Sequence, residues 1–133
     1  MIKKGNKLDN LIKYNWKYRE YTYRANALDE LLVDNVKNKN ISAVSLTVLS
    51  VIECNITIGD NVCELTAKGI AELSGIHPNK IYTYLNELMH IGVLVKHEYK
   101  YRDAYYVNPK YIKRSNRISK ETLNLFGIEY KID

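Results

Sequence analysis

Glycine is scarce in this sequence, six among 133 residues, and no G-x-x-x-x-G-K-[ST] loop occurs, so the backbone cradle that holds nucleotide phosphates is missing. Cysteine is scarcer still. Cys54 and Cys63 stand nine positions apart with no Cys or His at metal-ligand spacing, which leaves two buried thiols as the expectation rather than a disulfide or a metal site. The histidines His77, His90 and His97 fall at a helix start, a helix end and a strand, which is no zinc pattern. Carboxylates form no evident pair, and neither cysteine has a histidine near it in sequence, so no catalytic residue is assigned. Long apolar runs are lacking too: residues 41–52 are interrupted by Ser and Thr and residues 91–95 are far too few to cross a bilayer. The opening MIKKGNKLDN is charged with no apolar run behind it, unlike a signal peptide. These absences lead to the expectation of a soluble cytoplasmic protein without cofactor, metal or membrane partner.

What is present is charge, unevenly placed. Residues 1–24 carry seven Lys/Arg against two Asp/Glu, residues 25–95 four against eight, residues 96–120 eight against two, and the last thirteen one against three. Two basic segments around a neutral-to-acidic centre are the footprint expected of a protein that meets a polyanion.

The segment LIKYNWKYREYTYR reads equally as strand or helix, and its aromatics suit either packing or stacking on bases. ALDELLVDNV follows as a short amphipathic helix, broken by the polar text of residues 35–40. SAVSLTVLSVIEC is too long for an ordinary strand and reads as a largely buried helix. IGDN is a turn and VCEL a short strand. Thr66 stands where a helix N-cap belongs, TAKGIAEL continues with Ile70, Ala71 and Leu73 as its inward face, and Gly75 ends the helix through a positive φ. Pro78 restarts the chain as a helix in which Ile81, Leu85 and Leu88 form the apolar stripe. VLVKHEYKYRDAYYV is a hairpin with a basic tip, stopped at Asn108-Pro109 because proline has no N–H for a ladder. A short helix is expected near residues 119–126.

Helix, short strand, helix, tight turn, helix and hairpin is the order of a winged helix-turn-helix, so the expected class is α+β, mainly α, with a two-stranded C-terminal wing. The expected division is a basic, tyrosine-rich segment with a short helix over residues 1–40, the winged helix over 41–114, and a tail over 115–133. In such a unit the helix after the tight turn enters the major groove. Its outward residues here, His77, Asn79, Lys80, Thr83, Tyr84 and Asn86, are the types that reach base edges: asparagine pairs with adenine, threonine offers a hydroxyl or meets a thymine methyl, lysine reaches guanine or phosphate. Lys96, Lys100, Tyr101 and Arg102 of the wing, with Lys110, Lys113 and Arg114 after it, are the expected backbone contacts, which orient without reading sequence. With on the order of six phosphates neutralised, affinity should fall about a thousandfold over a fourfold rise in salt. The same fold also serves as a protein-interaction module that never touches DNA.

The text "ELTAKGIAELSGIHPNKIYTYLNELMHIGVL", followed by "AYYVNPKYI", resembles the winged-helix replication proteins of the L type from plasmids of Gram-positive bacteria, with relatives in phages. The likeness spans residues 42–114, and the tyrosine-rich strand running into V-N-P is its most specific part; RSN at residues 114–116 stands where the family commonly has a glycine. The resemblance implies sequence-specific binding of double-stranded DNA in replication, with transcription regulation or binding of a transfer origin as neighbouring roles. A homodimer, joined through the aromatic N-terminus or the ETLNLFGIEY tail, and replication or transfer proteins are the other expected partners.

Overall fold

A computed structural model describes residues 22–129. The tyrosine-rich reading of residues 1–21 lies outside the described residues. Helices α1 (Asn26–Lys37), α2 (Val44–Glu53), α3 (Ala67–Ser74), α4 (Ile81–His90) and α5 (Lys120–Leu125) and strands β1 (Tyr23–Arg24), β2 (Val62–Cys63), β3 (Leu94–Tyr99), β4 (Arg102–Val107) and β5 (Ile112–Lys113) follow in the order β1-α1-α2-β2-α3-α4-β3-β4-β5-α5. The described residues are therefore α+β and mainly helical. None of these helices is long and apolar enough to cross a membrane.

Each helix is set by local chemistry that the sequence shows. Leu28 and Leu32 give α1 one buried stripe, and α1 ends where Asn40 and Ile41 return their N–H groups to the Asn35 carbonyl. In α2 the spacing of Ser45, Val48, Leu49 and Ile52 puts all four inside, and the one hydroxyl among them is satisfied by the Ser42 carbonyl at 2.7 Å. Thr66 Oγ1 accepts from the Gly69 N–H and opens α3; Gly75, at φ 71°, closes it in the left-handed region that a Cβ disfavours. After one turn over residues 78–80, in which the His77 carbonyl accepts from Lys80 and Ile81, α4 begins.

The three-stranded antiparallel sheet has the order β2-β4-β3, and β1 pairs with β5. Because paired residues of antiparallel strands share a face, the register divides the hairpin in two. Leu94↔Val107, Lys96↔Tyr105 and Glu98↔Asp103 lie on one face; Val95↔Tyr106, His97↔Ala104 and Tyr99↔Arg102 lie on the other. Leu94, Tyr105 and Val107 join the main core with the buried stripes of α1 to α4, whereas Ala104, Tyr106 and Val62 form a second cluster against Tyr99, Leu125 and Phe126. The sheet is thus covered on both sides, by the helical core and by the end of α5. Lys100 and Tyr101 make the turn between β3 and β4 with φ of 51° and 70°, the backbone of a two-residue hairpin loop for which Asn-Gly is the usual choice.

The junction beneath the hairpin is held by two asparagines. Asn61, fully buried at φ 57°, donates through Nδ2 to the carbonyls of Val107 at 2.7 Å and Ile112 at 2.8 Å. Asn108 donates through Nδ2 to the Gly92 carbonyl and accepts the Lys110 N–H on Oδ1. The V-N-P text is thereby the clasp between the exit of α4, the hairpin base and β5.

Three expectations need correcting, the first being Leu73 of α3, which is 62% exposed rather than part of the inward face. The divisions at residues 40 and 114 do not separate packing units: Leu28 and Leu32 of α1 and Ile112 of β5 share one core, and Thr122 of α5 is buried, its hydroxyl donating to the Asp60 carbonyl. The short amphipathic pieces flanking a small domain supply apolar sides that are needed to close it. Only one of the two expected buried thiols is buried: Cys63 is, and Cys54, at the end of α2, is exposed.

Candidate nucleic-acid interface

Ile81, Leu85 and Leu88 are fully buried and fix α4 in rotation. At 100° per residue the opposite face then carries Thr83 and Asn86, with Asn79 in the turn just before the helix, and all three are exposed. A second constraint fixes the helix along its axis: Glu87 Oε1 accepts the Ser42 N–H at 2.8 Å, at the entrance to α2. The outward face is therefore presented by a rigid support. His77 and Lys80 are exposed at its N-terminal edge, and His77 Nδ1 accepts the Asn79 N–H at 3.1 Å. That ring nitrogen satisfies one of the free donors of the helix start.

Tyr84 departs from the expected role. It is half-buried and packs against the main core, because position 84 follows Leu88 and Ile81 around the helix rather than Asn79. Tyr82, which is not among the residues expected to read bases, is 51% exposed and stands three residues from Asn79 and four from Asn86. Helical spacing was the signal that distinguishes the two tyrosines. Burial raises the pKa of the Tyr105 phenol in the hairpin, and the charges of Tyr82 and Asp103 add to that rise.

The hairpin beside α4 carries exposed Lys96, Lys100, Tyr101 and Arg102. Lys96 shares the face of Tyr105 and lies 3.9 Å from Asp103, an exposed pair of little energetic weight. Lys100 sits 5.2 Å over the Tyr99 ring, and Tyr101 is 98% exposed at the tip. Arg102 lies on the opposite face from Lys96, and its guanidinium donates to the Glu64 carbonyl.

The residues after the hairpin are elsewhere. Lys110 and Lys113 stand at the hairpin base, over the rings of Tyr111 and Tyr23 respectively, about 20 Å from the tip at the rise of a strand. Arg114 is not a surface contact. Its guanidinium donates to the carbonyls of Ile56 at 3.0 Å and Cys54 at 3.3 Å and to Thr22 Oγ1. It thus satisfies carbonyls at and just beyond the C-terminal end of α2, where a cation is also favoured by the helix dipole. An arginine in a basic run reads as a phosphate ligand, but a half-buried one finds carbonyls first.

A scan against protein-family models finds no match to this chain, and searches of curated proteins and of solved structures find none at a significant level either.

Proposed function

We propose that α3, the turn after it, α4 and the β3–β4 hairpin form a winged helix-turn-helix that binds double-stranded DNA without catalysis. The observation that carries this reading is the outward face of α4. Asn79, Tyr82, Thr83 and Asn86 make an exposed stripe of uncharged hydrogen-bonding groups, held rigidly from behind and flanked by a hairpin with a cationic tip. A helix about 10–12 Å across fits a major groove of about 12 Å. A face that only met water would have no use for two amides, a hydroxyl and a phenol in one line. Replication of a plasmid or phage is the process to which the family resemblance points.

The backbone contacts narrow to Lys80, Lys96 and Lys100, since Arg102 lies on the opposite hairpin face and is bonded to the Glu64 carbonyl. Three neutralised phosphates give a salt slope near −2.7, so a fourfold rise in salt should weaken binding by about 40-fold. Selection of bound duplexes from a random-sequence pool, followed by anisotropy titration between about 50 and 200 mM salt, tests the reading. Changing Asn79 and Thr83 to alanine should erase preference among sequences, while Lys96→Gln with Lys100→Gln should weaken all of them alike. If no duplex is retained at low salt, the reading fails and a protein-interaction module takes its place.

A further inference from the structure

A cleft of about 660 Å³ opens at the hairpin base, ringed by Lys110, Lys113 and Arg117 and walled by Ile118, Leu123 and Ile128. Among the described residues no acidic side chain lines it. Phosphate groups would satisfy the cations but would leave the isoleucines and leucine in water, so the surface fits carboxylates arranged around an aliphatic side chain. The molecule carries such a surface. On the outward side of α1, Asp29, Glu30 and Asp34 surround Val33, which is 61% exposed. Asp29 is shared with Arg24 at 3.0 Å, whereas neither Glu30 nor Asp34 forms an ion pair among the described residues. This face cannot fold back into the cleft of its own chain, because Leu28 and Leu32 are sealed in the core and β1 is paired to β5.

We propose that the cleft receives the α1 face of a second copy of this chain, with Val33 on the apolar wall and Glu30 and Asp34 against Lys110, Lys113 and Arg117. Two unlike surfaces meet, so the contact either closes as a pair in which it is made twice or continues from copy to copy. Charge complementarity of this kind also fixes which surfaces meet.

Sedimentation velocity of the full chain without DNA, across a range of protein and salt concentrations, tests the contact. Wild type should self-associate, less so as salt rises. Lys110→Glu with Arg117→Glu, and separately Glu30→Lys with Asp34→Lys, should each weaken self-association by about tenfold or more. Mixing these two charge-reversed proteins should restore it, since every contact across the mixture again joins opposite charges. A monomeric wild type, a reversed variant that associates like wild type, or a mixture that stays monomeric overturns the proposal. Should a reversed protein not fold, Lys110→Gln with Arg117→Gln decides the matter, and unchanged association of that variant overturns it. DNA retention is read in a separate titration, so either proposal can fail while the other stands.

Discussion

Single side chains do structural work here that their residue type does not advertise. Asn61 is the main example: one buried amide satisfies two carbonyls from β4 and β5 while its own backbone takes a positive φ. Asn61→Ala leaves both carbonyls without that donor and places a Cβ-bearing residue less suited to the left-handed region. Thermal or urea denaturation should show a loss of about 2–3 kcal/mol. Within IGDN the sequence marks the turn, because asparagine and glycine tolerate that backbone, but the two carbonyls come from residues 46 and 51 positions away, beyond any local pattern. Arg114 was misplaced for the same reason. Arg114→Gln should lower stability by about 1–2 kcal/mol and leave the slope of DNA affinity against salt unchanged; a slope reduced by about one would return Arg114 to the phosphate contacts.

At the level of elements, legibility follows the range of the interaction. The α3-turn-α4 unit was readable because a cap, a left-handed stop and a proline restart act within a few residues, and Thr66, Gly75 and Pro78 stand in the expected places. A Cβ at Gly75 would meet no atom within 4 Å, so Gly75→Ala is a test of backbone conformation alone. Its expected cost is about 1 kcal/mol, and Gly75→Asn should recover part of it in the same melting experiment. The hairpin was readable in position but not in orientation. Its cations were grouped as one footprint, although strand alternation puts Lys96 and Arg102 on opposite faces and the register was needed to say which face turns toward α4. Tyr82 and Tyr84 carry the same lesson for a helix, where a two-residue step is about 200° of rotation and divides the outward face from the core.

For the whole molecule, the sheet between two layers explains the titration behaviour. Burial pushes the Cys63 thiol up to about 11, and burial with the hydrogen bond to Asp60 pushes the Tyr99 phenol up to about 12. The folded state therefore keeps protons that the unfolded chain releases once pH passes its ordinary thiol and phenol values of 9.0 and 10.0. The stability tied to these groups is intact below that range and is lost as pH climbs toward the folded values. Urea midpoints should stay level to about pH 9 and fall above it; a midpoint that rises across that interval contradicts the burial of Cys63 and Tyr99. The layers themselves were only half legible. The main core follows from periodicity, but the second cluster joins Val62, Tyr106 and Phe126, which no window of sequence brings together.

The turn at Lys100 and Tyr101 sets protein engineering against biology. Two side-chain-bearing residues hold a left-handed backbone there, a conformation that costs an ordinary residue about 1–2 kcal/mol. Lys100→Asn with Tyr101→Gly should raise the melting temperature by relieving that strain and weaken the proposed DNA binding by removing the tip cation and its aromatic neighbour. A variant library sorted for thermal tolerance would enrich this pair, and the same library sorted for retention on DNA would discard it. Opposite enrichment in the two sorts would mark the tip as a site where selection has kept a less comfortable backbone for what its side chains reach.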